Sequence, residues 1–226
     1  MFEGGHSPDL VLALFSRLLA DQQPDWPTQA VLTGFPFYDS GKASLAPKLD
    51  AFIRGGEPPV VFTLGSSAVG AAGAFYSDSL KALNRSNTRA VLLTGPHPQG
   101  LPDKLPENVL AWPYAPHELL FPKASVIVHQ GGVGTTAQAL RSGRPMLVVP
   151  FAHDQFDNAD RVRRLGVGRW IRRGKYNARA AEHALDTLLH DSSYAQAASI
   201  VGTRIREENG SATAARTIHN YLHGGR

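Results

Sequence analysis

The stretch His129-Gln-Gly-Gly-Val-Gly-Thr-Thr136 concentrates residue types that suit a phosphate group. Gly131, Gly132 and Gly134 permit close approach to the backbone, Thr135 and Thr136 offer hydroxyls, and His129 can donate to a phosphate oxygen. An apolar, β-rich run precedes the stretch and a helical run, Ala137 to Arg141, follows it. Its amides would therefore sit at a helix N-terminus, where anions are favoured. On glycine spacing alone, a ligand-free strand-to-helix turn is the better description. The nucleotide-triphosphate loop is excluded because its Lys is missing, and the dinucleotide fingerprint is missed because Gly134 is followed by Thr-Thr-Ala. Two more loops carry unusual residues, Gly65-Ser66-Ser67 and Pro150-Phe-Ala-His-Asp-Gln155.

These loops need strands to hold them. Val60 to Leu64, Ala90 to Thr94, Val109 to Trp112, Ser125 to Val128 and Met146 to Val149 are short, apolar and β-rich, mostly separated by segments of helical character. Runs apolar on both faces predict an α/β fold with a doubly wound, Rossmann-like parallel sheet covered by helices on each side. In such sheets ligands bind at the carboxyl ends of the strands, where all three loops fall. Ser7 as N-cap, Pro8 and the stripe Leu10, Leu14, Leu18 with Val11, Phe15, Leu19 predict an N-terminal helix. Gln22 to Asp39, with Pro24, Pro27 and Pro36, reads as an extended connector. A helical C-terminal segment is expected over 180–189, 194–205 and 212–222. The division is residues 1–39 as helix and linker and 40–226 as the sheet domain.

Composition narrows the chemistry. The chain has 226 residues, no cysteine, 42 % hydrophobic and 19 % charged residues, and 23 Lys and Arg against 19 Asp and Glu for a net charge of +4. Disulfides, thiolate metal sites and a cysteine nucleophile are excluded, and a reducing, cytoplasmic setting fits. No stretch reaches the roughly 20 apolar residues of a membrane span. The histidines lack metal-ligand spacing, and no carboxylate pair suggests a two-carboxylate glycosidase. The run Arg161, Arg163, Arg164, Arg169, Arg172, Arg173, Lys175 reads first as a solvated helix face followed by an edge strand, and second as a peripheral contact with an anionic membrane. No nucleic-acid partner is expected.

The segment from Tyr114 to Gly166 resembles the donor-binding region of nucleotide-sugar glycosyltransferases with two Rossmann-like domains, among them sterol glucosyltransferases and rhamnolipid-forming rhamnosyltransferases. Ala115-Pro-His-Glu-Leu-Leu-Phe-Pro122 is similar to the segment before their phosphate loop, His129 to Thr136 to the loop itself, and Asp154-Gln155 with Asn158 to their sugar-binding motif. The resemblance extends less specifically to Thr33-Gly34-Phe35 and Gly65-Ser66. It implies the C-terminal half of that two-domain fold. It also implies that His129, Gly131, Gly132, Gly134 and Thr135 bind the donor diphosphate with Ser66 from the neighbouring loop, and that Asp154 and Gln155 take the sugar hydroxyls. Tyr114 would stack on the base, with Trp112 as competitor, and Gly34 and Phe35 would close over it.

Many relatives place a Glu for the ribose on the helix after the phosphate loop, where this chain has Ala137 and Gln138. Uridine diphosphate glucose and thymidine diphosphate rhamnose are both open as donors, and no metal or other cofactor is expected. The resemblance further implies an inverting hexosyltransferase whose catalytic base lies in an N-terminal acceptor domain, supplied in cis or in trans, so that this half alone is inactive. A non-catalytic nucleotide-sugar-binding subunit and an epimerase-like enzyme on the same fold are the alternatives.

Overall fold

A computed structural model of the chain describes residues 5–39, 41, 43–65, 69–96, 98 and 100–224. The chain divides into two compact units, Ser40–Gly202 and a smaller one made of Met1–Asp39 with Thr203–Arg226.

Among the described residues the larger unit holds six parallel strands. They are β3 (Val60–Thr63), β4 (Ala90–Leu93), β5 (Val109–Trp112), β6 (Ile127–His129), β7 (Met146–Val148) and β8 (Gly168–Trp170), in the order β5-β4-β3-β6-β7-β8. The order runs outward in both directions from the β3–β6 pair, so a topological switch point lies between those strands, where crevices form in doubly wound sheets. The strands are apolar on both faces because both faces are covered: every residue of β3, β4, β6 and β7 is buried. β8 is the edge strand that follows the arginine-rich helix.

The covering helices are α1 (Pro47–Arg54), α2 (Phe75–Ser86), the short α3 (His117–Leu120), α4 (Val133–Ser142), α5 (Gln155–Arg164) and α6 (Ala178–His190). α2 packs along α6. Asn177 caps α6, its Oδ1 accepting from the Ala180 amide at 3.0 Å. α4 stops at Gly143 in the left-handed conformation, φ +69°. α7 (Ser192–Glu207) crosses α4 where two glycines meet: a Cβ on Gly202 would lie 2.6 Å from Gly143 Cα. Among the described residues no helix is long and apolar enough to cross a membrane.

The smaller unit corrects two expectations. No helix spans residues 10–19; instead β1 (Val11–Ala13) pairs in parallel with β2 (Ala30–Leu32). The hydroxyls that favour a helix start serve local turns, Ser7 Oγ accepting from the Asp9 amide at 3.2 Å and Ser16 Oγ from the Leu18 amide at 3.0 Å. Residues from Thr203 onward group with the N-terminal segment rather than with the sheet. Ser16 Oγ donates to Glu208 Oε1 at 2.5 Å. The start of α8 (Gly210–His223) lies against the connector so closely that a Cβ on Gly210 would meet the carbonyl oxygens of Gly34 and Phe35 at 2.5 Å.

Candidate functional site

At the switch point β6 hands over to α4 through three glycines that are not equivalent. Gly131 has φ +90°, and a Cβ there would lie 2.8 Å from Val148 Cγ1 and 3.0 Å from the Gln155 carbonyl oxygen. Gly132 is the N-cap of α4, extended at φ −60° and ψ 141°, where a Cβ would come within 2.9 Å of Gln130 Nε2. Gly131 is therefore demanded by the fold, and Gly132 only loosely, since its backbone suits any residue and the flexible end of Gln130 could shift. Gly134 is not: its φ lies outside the left-handed region and a Cβ there would meet nothing among the described residues within 4 Å. The helix begins at Val133, four residues earlier than the sequence suggests, and its first helical bond runs from the Thr136 amide to the Gly132 carbonyl. The amides of Val133, Gly134 and Thr135 have no acceptor within the helix, which leaves a partial positive charge at this end.

His129 does not sit as the sequence suggests. It is fully buried at the end of β6, and its Nδ1 accepts a hydrogen bond from the Gly131 amide at 3.0 Å, which places the ring proton on Nε2, 3.4 Å from Met146 Sδ. Desolvation, helped by the neighbouring His117, pushes its pKa down to about 3. A neutral imidazole with both nitrogens engaged inside the chain is no charged phosphate donor; it holds the turn at Gly131. His117 stacks on Phe121 at 4.3 Å, and burial lowers its pKa to about 4. Among the described residues, Gln130 Oε1 and Thr136 Oγ1 are buried beside the loop without a hydrogen-bond partner.

The loop after β7 meets the phosphate loop through Asn158. Its Nδ2, on the first turn of α5, donates to the Gly131 carbonyl at 2.9 Å and to Asp154 Oδ2 at 2.8 Å. Asp154 is exposed and makes no cap bond to the helix that follows it. Gln155 is 7 % exposed, and its Oε1 accepts from the amides of Phe151 at 2.7 Å and Ala152 at 3.0 Å, so this oxygen serves its own loop rather than a sugar. The sequence marks Asn158 as part of the motif, yet its bridging role needed the two loops to be seen side by side. Among the described residues no group of His, Asp and Glu converges to hold a metal ion.

Tyr114, just beyond β5, is 70 % exposed, whereas Trp112 is half-buried within the strand. Phe35, in the smaller unit, is 3 % exposed and packs on Phe37 with ring centroids 5.7 Å apart. Gly34 is buried too, with φ +90°. Ser66 lies outside the described residues.

Residues 81–222 match the family of erythromycin biosynthesis protein CIII-like C-terminal domains. The chain is 33 % identical over 208 residues to the O-mycaminosyltylonolide 6-deoxyallosyltransferase of Streptomyces fradiae, an alignment covering 92 % of this chain and 48 % of that protein. It is 34 % identical over 212 residues to the sterol 3-beta-glucosyltransferase of Yarrowia lipolytica, covering 88 % of this chain and 14 % of that one. Among solved structures, the glycotransferase of kitacinnamycin superposes with a TM-score of 0.80 at 26 % identity, over 95 % of this chain and 55 % of that one. The spinosyn rhamnosyltransferase SpnG complexed with thymidine diphosphate superposes with a TM-score of 0.75 at 24 % identity, over 95 % and 58 %, a likeness of fold. The chain thus spans half or less of the length of the curated relatives it matches.

Proposed function

The chain belongs to the family of erythromycin biosynthesis protein CIII-like C-terminal domains, the donor-binding side of glycosyltransferases built from two Rossmann-like domains, and we propose that it holds a nucleoside-diphosphate hexose for inverting transfer to a hydroxyl acceptor. The relatives named above transfer a deoxyallosyl, a glucosyl or a rhamnosyl group, and one of their structures carries thymidine diphosphate. In this reading the amides at the start of α4 receive the diphosphate without a metal ion. His129 keeps the Gly131 turn in shape behind them, Asp154 accepts hydrogen bonds from sugar hydroxyls, and Tyr114 supplies the stacking face for the base.

In the transfer the acceptor oxygen forms its bond to the anomeric carbon as the bond to the diphosphate breaks. A base contributed by another part of the enzyme takes the acceptor proton, and the helix N-terminus stabilises the charge left on the diphosphate.

The observation that carries the proposal is Gly134. Glycine in a helix costs about 1 kcal/mol relative to alanine, and nothing among the described residues requires it at this position. A ligand that touches the backbone there does require it. Calorimetry with thymidine diphosphate and uridine diphosphate, each with a chelator present, tests this. Wild type should bind at least one of them saturably, and Gly134→Ala should melt at a higher temperature yet bind about tenfold more weakly, a cost near 1.4 kcal/mol. Unchanged affinity in Gly134→Ala, or binding that vanishes with the chelator, overturns the metal-free amide site.

A further inference from the structure

The turn that carries Asp154 holds a residue whose backbone conformation suits another residue type. The Gln155 amide donates to the Ala152 carbonyl at 3.2 Å, so His153 and Asp154 are the two central residues of a tight turn. His153 has φ +55°, and Asp154 has φ −63° and ψ −13°. A positive φ at the first central position belongs to turns dominated by Gly, Asn and Asp, because a Cβ there crowds the following carbonyl oxygen. The histidine is therefore strained, and its neighbours keep it so. Gln155 Oε1 takes the amides of Phe151 and Ala152, and Asn158 Nδ2 donates to Asp154 Oδ2. Strained backbone that its surroundings over-determine clusters where ligands bind.

The same turn abuts the glycine-rich loop. A Cβ on Gly131 would lie 3.0 Å from the Gln155 carbonyl oxygen, and Asn158 also donates to the Gly131 carbonyl at 2.9 Å. A diphosphate received at the start of α4 thus leaves its sugar beside this turn. Hexose hydroxyls each donate and accept, whereas a carboxylate only accepts, and one oxygen of Asp154 is already bound by Asn158. Gln155, the other half of the motif, is 7 % exposed with its oxygen given to its own loop. Phe151, Ala152 and Phe156 have no polar side chain, and Asp157 pairs with Arg161 at 2.6 Å. His153 is exposed, and among the described residues its ring has no hydrogen-bond or ion-pair partner. It is the exposed side chain of this turn that can donate.

We propose that the His153 imidazole donates a hydrogen bond to one hydroxyl of the donor hexose while Asp154 accepts from its neighbour, so that these two side chains form the sugar subsite. The sugar class is then a hexose with two adjacent free hydroxyls, one for each side chain. A donor deoxygenated at either place loses half of this recognition. Glycine at position 153 would relax the turn, but it would also remove the hydrogen-bond donor. The inference rests on the donor reading above and deepens it from the diphosphate to the choice of sugar.

The full chain and the variants His153→Gly and His153→Asn are titrated by calorimetry with uridine diphosphate, thymidine diphosphate and the glucose conjugate of each, and their melting temperatures are compared. For the nucleotide that wild type binds, His153→Gly should weaken the glucose conjugate about fivefold and keep the diphosphate within about twofold, the size of one lost hydrogen bond. It should melt no lower than wild type, since glycine suits φ +55°. His153→Asn tolerates this backbone and still donates, so it should bind the conjugate within about twofold of wild type. An unchanged affinity for the conjugate in His153→Gly overturns the proposal, as does an Asn variant no better than Gly, or a wild type that binds a diphosphate and neither conjugate. A lowered melting temperature in His153→Gly assigns the ring to the fold, equal weakening of conjugate and diphosphate assigns it to the phosphates, and either overturns the proposal. Diphosphate binding keeps the two readings apart. If it fails in wild type the donor reading falls, and if it persists with a conjugate indifferent to position 153, the sugar assignment alone falls.

Discussion

At the residue scale, the histidine that opens the phosphate loop acts through a backbone amide. Because Nδ1 of His129 accepts from Gly131, an Asn side chain at this position, whose Oδ1 can stand close to that nitrogen, should keep the bond, whereas Ala should lose it. The ring also carries a pH signature. Its folded pKa of about 3, and the value of about 4 at His117, lie below the unfolded value near 6.5, so the unfolded chain takes up more protons below that pH. Stability contributed by the neutral rings is complete above about pH 6.5 and declines as pH falls toward the folded values, by up to about 1.4 kcal/mol per pH unit for each imidazole. Urea melts between pH 7.5 and pH 5 should show this acid limb. His129→Asn should flatten it by roughly half while retaining most of the diphosphate affinity, and His129→Ala should weaken diphosphate binding several-fold. A loss of diphosphate affinity in Asn as large as in Ala would restore the direct charged contact that the buried ring argues against.

At the scale of elements, the site depends on one cross-brace, from α5 to the loop that begins α4. Asn158→Ala deletes both of its bonds; the buried Gly131 carbonyl left without its donor sets a cost of about 1–3 kcal/mol, while the exposed Asp154 can turn to water. Asn158→Asp should be worse, since an acceptor would then face two acceptors. Thermal melts should rank wild type above Ala above Asp, and calorimetry should show both variants losing preference for the sugar nucleotide over the bare diphosphate; Asp melting at or above Ala would remove the brace. Much of this architecture was legible beforehand. Five of the six strands described in the sheet follow from short apolar runs, and the glycine-rich strand-to-helix turn after β6 follows from its residue types. The brace was not, because Asn158 and Gly131 are 27 residues apart in sequence and meet only after β6 and β7 pair. Nor was the strand Val11–Ala13, since a stripe of Leu and Val at helical spacing fits an apolar strand equally well until Ala30–Leu32 arrives beside it. Burial of Phe35 was hidden for a related reason: an aromatic after a glycine reads the same whether it packs inward or faces a ligand.

For the molecule as a whole, the question is which half of a transfer reaction these residues can perform. Among the described side chains around the glycine-rich loop, His129 is buried and His117 half-buried, and burial holds both neutral near pH 7. Asp154 is tied by Asn158 in the position proposed for the sugar. In the proposed transfer a base from elsewhere in the enzyme takes the proton that leaves the acceptor as the glycosidic bond forms, and without it the attacking oxygen is a poor nucleophile. The 226-residue chain alone should bind a thymidine diphosphate hexose yet form no glycoside, as followed by chromatography with 2-naphthol as acceptor. Slow release of thymidine diphosphate, with water taking the sugar, is compatible with that outcome, since the proposal places donor activation in this chain. Adding a separately expressed acceptor domain from a relative should restore glycoside formation if the missing contribution is the base. Robust glycoside formation by the purified chain would sink this division of labour. His153, exposed at φ +55° beside Asp154, would then be the base to replace first.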